Sequence, residues 1–434
     1  MKFFKIIVFL FLSVFVSHSA FALTLEECKR ASLDNSNLLQ AYENLIKSSI
    51  YSNKKDKASL FPQLTAFYQP DYVQFSDRSD FSYGYETKVG LTLSLDLNKL
   101  LVDYPQLSRL EIEKNKLLKS VAENEIQKDV TQNYYKIYVF LKKKKDYQDA
   151  DSYFKEHIKD IENLQAKGVD VKLDLIRADV QMKSLNIALG NANSEISNAL
   201  ISLNSLMRTS YKEEDFAVMD VPDLEAIQTD QNVFDENIPE EPIEDSPIEN
   251  IEKIVPNKIF KLEQSKLDEF DLKIAKETYE QSKFYYMPSL QLGVDHNIRT
   301  VDPNVEEYKS YLVLNFNLFD FGQKANESKK LKYNYEYQKN FFEENQRKLK
   351  VRIDQLIIEI ENLQTTYKNA LDNLKSAQKS IDTAKIYYQQ GKIKETDLLS
   401  VFSESMSVKD QVYETLYNFF SKKAELDSMV RGME

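Results

Sequence analysis

Two hydrophobic rhythms alternate along the chain. Val89, Leu91, Leu93, Leu95 and Leu97 alternate with Lys88, Gly90, Thr92, Ser94 and Asp96. Further on, Leu312, Leu314, Phe316 and Leu318 alternate with Val313, Asn315, Asn317 and Phe319. A period of two, with one apolar and one largely polar face, predicts strands of a barrel wall with lipid outside and water inside. Shorter strand candidates precede each run, near 64–75 and 290–298, with joining loops at 76–80 and 301–307. The other rhythm is helical. Ile353, Leu356, Ile360, Leu363, Tyr367, Ala370, Leu374, Ala377, Ile381, Ala384 and Tyr388 step by three and four, which predicts packing along a coiled-coil seam. Tyr147, Phe154, Ile158 and Ile161 mark a similar, less regular stripe.

Glycine and proline place the ends of the helices. Neither occurs across 106–167 or across 323–390, and an uninterrupted helix of that length reaches about 90–100 Å. The chain also repeats itself. Leu203-Asn204-Ser205-Leu206-Met207-Arg208 recurs as Leu426-Asp427-Ser428-Met429-Val430-Arg431, and at the same offset Gly168, Asp174 and Leu175 match Gly391, Asp397 and Leu398. Phe61-Pro62-Gln63-Leu64 corresponds to Met287-Pro288-Ser289-Leu290 at a nearly equal offset. The predicted plan is therefore one unit used twice: helix, two strands, very long helix, glycine turn, long helix. The first repeat spans 23–212 and the second 257–434. Residues 213–256 join them.

Composition places this plan in a compartment. Lys2 and Lys5 precede an apolar run from Ile6 to Val16, and Ala20-Phe21-Ala22 offers small residues at a cleavage point. That is the layout of a signal peptide over 1–22, with a mature chain from about Leu23. No second long apolar run exists, and the mean hydropathy is −0.50, so membrane insertion is expected through strands. From Glu213 to Glu252 the joining segment carries fifteen Asp and Glu with no Lys or Arg, together with Pro222, Pro239, Pro242 and Pro247, and reads as an acidic linker. Outside it the charge is nearly balanced, and no basic face exists to neutralise phosphates, which argues against nucleic acid as a partner.

Catalytic chemistry finds little support. Cys28 is the only cysteine, and the mature chain has two histidines, His157 and His296. Each histidine reads as an incidental polar residue, Cys28 as an unpaired thiol. No phosphate loop, nucleophile elbow or metal-spaced His/Cys cluster is present. The expectation is a protein that is not an enzyme and needs no cofactor or metal.

Four strands cannot close a barrel alone, and an open edge in lipid leaves backbone groups unsatisfied. Transmembrane strands therefore require several chains to share one barrel. The rival is a periplasmic coiled-coil scaffold without a pore, which has no need for amphipathic strands at these positions.

The layout resembles the TolC family of outer-membrane efflux and secretion channels. The likeness rests on the opening Leu23-Thr24-Leu25-Glu26-Glu27, the strand entries at Pro62 and Pro288, the exit Asp320-Phe321-Gly322, and the paired turns Gly168…Asp174-Leu175 and Gly391…Asp397-Leu398. The resemblance implies an α+β membrane protein: long coiled-coil hairpins forming a periplasmic α-barrel, plus four transmembrane strands per chain completed into a barrel by a homotrimer. It implies contact with outer-membrane lipid, and passage of drugs, toxins or proteins from an inner-membrane transporter through a periplasmic adaptor. It places the glycine turns at the periplasmic tip, with Asp174, Asp397 and Tyr388 at positions matching the family's gate residues. Where the pattern can carry an arginine, this chain has Ile393 between Lys392 and Lys394, and a second aspartate is replaced by Ser400. Capping of the following helix is a compatible role for both aspartates.

Overall fold

The computed structural model describes residues 23–77, 80–101, 103–217, 262–299, 306–316 and 319–430. The segment read as a signal peptide, and residues 218–256 of the segment read as a linker, lie outside the described residues. In order the elements are α1 (Leu25–Asp34), α2 (Asn37–Ala58), β1 (Gln63–Asp77), β2 (Asp80–Asp96), α3 (Leu97–Leu101), α4 (Gln106–Ala166), α5 (Lys172–Met207), α6 (Glu214–Ala217), α7 (Glu263–Ser282), β3 (Ser289–Arg299), β4 (Glu306–Asn315), α8 (Gln323–Gln389) and α9 (Glu395–Val430). Helices α4 and α8 begin and end within a residue or two of the Pro- and Gly-free stretches. Helices α5 and α9 are both 36 residues long, and the offset of 223 seen in the sequence relates both of their ends.

The chain divides into two compact units that cut across the repeats, one comprising residues 1–37, 122–258 and 351–434, the other 38–121 and 259–350. In the second unit, β1–β4 form one antiparallel sheet in the order β1-β2-β3-β4. Register sorts its side chains cleanly. Leu64, Ala66 and Tyr68 of β1 lie opposite Leu93, Leu91 and Val89 of β2. Those pair on with Leu292, Val294 and His296 of β3, and then with Leu312, Ser310 and Tyr308 of β4. Leu64, Leu91, Val294 and Leu312 of this face are exposed, and these three rows are apolar apart from Ser310 and His296, whose ring stacks on Tyr308.

The opposite face carries Gln69, Lys88, Asn297 and Glu307 in one row and Phe67, Gly90, Asp295 and Lys309 in the next. Two bare glycines on it are covered by rings. Tyr311 lies over its cross-strand partner Gly293, and Phe67 over its partner Gly90.

Two strand boundaries differ from expectation. The fourth strand runs Glu306–Asn315, earlier than the alternation at 312–319 suggested, and Phe316 and Phe319 lie beyond it. The loop placed at 76–80 is shorter, since only residues 78–79 separate β1 from β2. In both places the strand continues through charged residues that read as loop. Below the sheet, polar contacts join the helices of this unit. Asn53 donates to the Pro105 carbonyl and to Ser108 Oγ, and Asn115 donates to Ser49 Oγ.

The first unit is a helical bundle. At its N-terminal end Thr24 and Glu27 form a capping box, with Thr24 Oγ1 accepting from the Glu27 N–H and the Glu27 carboxylate accepting from the Thr24 N–H. Every residue of the predicted α8 seam is buried or half-buried. In α4 the seam runs through Tyr147, Ala150, Phe154, His157 and Ile161, all buried. Spacing of three and four therefore lands on His157, where the sequence reading had placed Ile158, which is only half-buried. Between α4 and α9 sits a crossed cluster. Tyr147 Oη donates to Asp410 at 2.7 Å and Tyr413 Oη to Asp146 at 2.5 Å. Lys143 pairs with Asp410 and Lys409 with Asp146. No helix among the described residues is long and apolar enough to cross a membrane.

Candidate functional site at the helix turns

The two turns that the repeat predicts, α4 to α5 and α8 to α9, share one backbone design. Gly168 has φ +87° and Gly391 φ +69°, the left-handed region that side-chain-bearing residues disfavour. At each, two backbone bonds close the preceding helix as a Schellman motif. The Gly168 N–H donates to the Gln165 carbonyl and the Val169 N–H to Leu164. The Gly391 N–H donates to Tyr388 and the Lys392 N–H to Tyr387. A Cβ at either glycine would meet open space, so it is backbone conformation that requires glycine there.

The aspartates that follow are not equivalent. Each is the third residue of its helix. Asp397 reaches back and accepts from the Lys394 N–H at 3.1 Å, half of a capping box. Asp174 makes no such bond, because the Val171 N–H it would accept from donates to the Val169 carbonyl instead. It faces Arg177 instead, at 3.6 Å. Capping therefore applies to Asp397 alone. The position matching Arg177 in the second repeat is Ser400, so the second turn has no such cation. Leu398 is buried with Phe402 and Phe154 in a hydrophobic cluster, whereas Leu175 is only half-buried. Lys392 lies over the Tyr387 ring, its Nζ 5.3 Å from the centroid, and Lys394 supplies the backbone N–H that Asp397 caps.

Tyr388 turns inward from the last turn of α8. Burial, then the nearby Glu395 carboxylate, push its ionisation well above the usual tyrosine range; Asp174 adds to this. Asp174 and Tyr388 are thus electrostatic neighbours, while Asp397 stays exposed and engaged with its own helix start.

Two residues at this site were not anticipated. His157, read as incidental, is buried, and its Nε2 lies 2.9 Å from both carboxylate oxygens of Glu395. Glu395, the first residue of α9, is itself 2% exposed. Tyr153 stacks on the imidazole from one side, and Tyr388 meets it edge-on at 5.2 Å. The seam spacing in α4 carried the signal for His157. Nothing in the local sequence marked Glu395, since an acid in the first turn of a helix is ordinary on a surface. His157 and Glu395 therefore pair with each other. Among the described residues no cluster of three or more His, Cys, Asp or Glu side chains could hold a metal ion.

Comparison with known proteins agrees with this architecture. Residues 268–430 match the sequence model of the outer membrane efflux protein family. Over that stretch the chain is similar to this family. Among solved structures it is similar to the Campylobacter jejuni CmeC outer membrane channel, at 15% identity and a TM-score of 0.75 over 94% of this chain and 85% of that one. It is also similar to the outer membrane protein VceC of Vibrio cholerae, at 12% identity and 0.75 over 94% and 97%. The Neisseria gonorrhoeae MtrE outer membrane channel, in its open state, matches at 14% identity and 0.72 over 94% and 89%. At these identities the likeness establishes the fold of such channels. A comparison with curated proteins finds no match.

Proposed function

We propose that the chain is one subunit of an outer-membrane channel-tunnel, exported through its N-terminal signal peptide. It passes small molecules or proteins from an inner-membrane transporter to the outside, with a periplasmic adaptor. The observation that carries this reading is the four-stranded sheet, apolar on one face and polar on the other, with β1 and β4 as edges. In lipid those edges need partners. Three chains sharing one twelve-stranded barrel supply them, with the apolar face outward and the row of Gln69, Lys88, Asn297 and Glu307 lining water.

Exposed aromatics where strands meet helices add support. Phe61, Phe319 and Phe321 are 70%, 73% and 90% exposed, which suits an aromatic girdle at a membrane interface. The apolar face disfavours the scaffold reading, which gives such a surface nothing to cover it. The two-repeat division, 23–212 and 257–434 around the linker 213–256, is part of the proposal. So is a closed tip at the turns, with Gly168, Asp174, Leu175, Tyr388, Gly391, Lys392, Lys394, Asp397 and Leu398 as its elements.

The test is the oligomeric state of protein extracted in detergent from outer-membrane fractions, by light scattering and negative-stain imaging. A trimer with a tube about 100 Å long below a membrane collar is expected. A soluble periplasmic monomer or dimer would refute the channel.

A further inference from the structure

We infer that His157 and Glu395 form a buried latch that holds the second glycine turn of each chain against α4. Helix α4 places an imidazole on its coiled-coil seam, between Phe154 and Ile161, where an apolar side chain would pack without cost. A buried polar group persists when a partner satisfies it. Here the partner comes from the residue that begins α9, immediately past the turn. The Nε2–H donates to a carboxylate that is itself shielded from water, and both oxygens lie at 2.9 Å.

The same carboxylate raises the ionisation of the Tyr388 phenol at the end of α8, whose ring meets the imidazole edge-on. The His157–Glu395 pair and the Tyr388 ring thus bring together α4, the start of α9 and the end of α8. Aromatic rings of Tyr153, Phe154 and Tyr388 surround the imidazole. The charged groups close to this cluster are Lys385, which sits over the Tyr153 ring, and Asp160 and Asp174.

The repeat provides an internal comparison. At the offset of 223, His157 corresponds to Ser380, Tyr388 to Gln165 and Glu395 to Lys172. The first turn has the same Schellman closure and the same Gly…Asp-Leu motif, but none of the three latch residues. Only the second turn is pinned. His157 and Glu395 are positioning residues: they fix where the turn carrying Gly391, Lys394 and Asp397 lies. That this position keeps an entrance closed rests on the channel reading above.

The experiment uses full-length protein in detergent and in planar bilayers. Trypsin has exposed sites after Lys392 and Lys394 at the second turn, and after Lys167 and Lys172 at the first as an internal control. His157→Phe fills the seam but cannot donate; His157→Gln keeps a donor. Cleavage at Lys392 and Lys394 is expected to rise about tenfold in His157→Phe and in Glu395→Ala, with Lys167 and Lys172 unchanged. His157→Gln is expected to stay near wild type. Equal cleavage in the Phe and Gln variants, or a rise of the same size at both turns, would overturn the latch.

Conductance separates the two readings. If Asp174→Ala/Asp397→Ala conducts more than wild type while His157→Phe does not, the latch has no part in the gate although the channel stands. If no variant forms a pore, the channel reading fails, and proteolysis still decides whether the latch exists.

Discussion

The two ring-covered glycines of the sheet make a sharp test of its packing. Neither Gly90 nor Gly293 has a positive φ, so alanine is conformationally acceptable at both and any cost is steric. At Gly293 the three nearest atoms all belong to the Tyr311 side chain. At Gly90 a Cβ would sit 2.6 Å from Phe67 Cζ and also 2.8 Å from the Val294 carbonyl oxygen, which is backbone in the adjacent strand. Either single change to alanine overpacks the face and should destabilise by about 1–3 kcal/mol. The rescues should differ. Removing the side chain in Gly293→Ala/Tyr311→Ala relieves the nearest contacts, at the cost of the ring packing and the long Tyr311–Thr92 hydroxyl contact of 3.4 Å. Removing the ring in Gly90→Ala/Phe67→Ala leaves the carbonyl in place, so about 1 kcal/mol or more of strain should remain. The assay is the temperature at which folded protein loses its compact mobility on detergent gels, compared with Tyr311→Ala and Phe67→Ala alone. Complete rescue of Gly90→Ala, or none for Gly293→Ala, would refute the register and the ring positions together.

Other consequences follow from the first unit. Asp397→Ala removes a bond to the Lys394 N–H and should cost about 0.5–2 kcal/mol at the start of α9, whereas Asp174→Ala should cost little; thermal melts of the two variants measure the contrast. The double variant should raise single-channel conductance, and conductance at the wild-type level would leave Asp397 as a cap only. Tyr413→Phe and Tyr147→Phe each remove a hydrogen bond to an aspartate and should destabilise by about 1.5–3 kcal/mol; a double-mutant cycle with Asp146→Asn reads the first contribution, and additivity would refute the pairing. Burial pushes the Cys28 thiol from an ordinary 9.0 up to about 12. The thiol should therefore resist alkylation in folded protein at pH 8 and react on denaturation. Because the folded value is the raised one, its contribution to stability is complete below about pH 9 and is lost as pH climbs towards 12; rapid labelling of native protein at pH 8 would contradict this.

Much of this fold was legible because its signals are local. Helix ends followed from where proline and glycine are absent, and β2 followed from its strict alternation. The start of β4 was missed because Glu306 and Glu307 resemble a loop, and only pairing with Ile298 and Asn297 makes them strand. The rings over Gly90 and Gly293 depend on cross-strand register, which a single strand does not encode. At the turns the Gly…Asp-Leu motif was visible, but its two copies act differently because their neighbours do: Arg177 beside one aspartate, a free N–H before the other. His157 stood next to an isoleucine that offered a simpler stripe, and its acid partner lies 238 residues away.

The crossed Tyr–Asp cluster between α4 and α9 has a mechanical meaning. Sliding α9 along α4 by one turn would break both tyrosine bonds and both lysine pairs at once, so translation is discouraged while rotation about the cluster is not. Asp410 stands about 22 Å along α9 from Glu395. The cluster is then a fulcrum, and the segment between it and the turn a lever arm. A tilt of about 10° about that point carries the lever's tip roughly 4 Å, given the helical rise. Such a displacement parts a hydrogen bond completely while leaving the fulcrum's own contacts almost where they were.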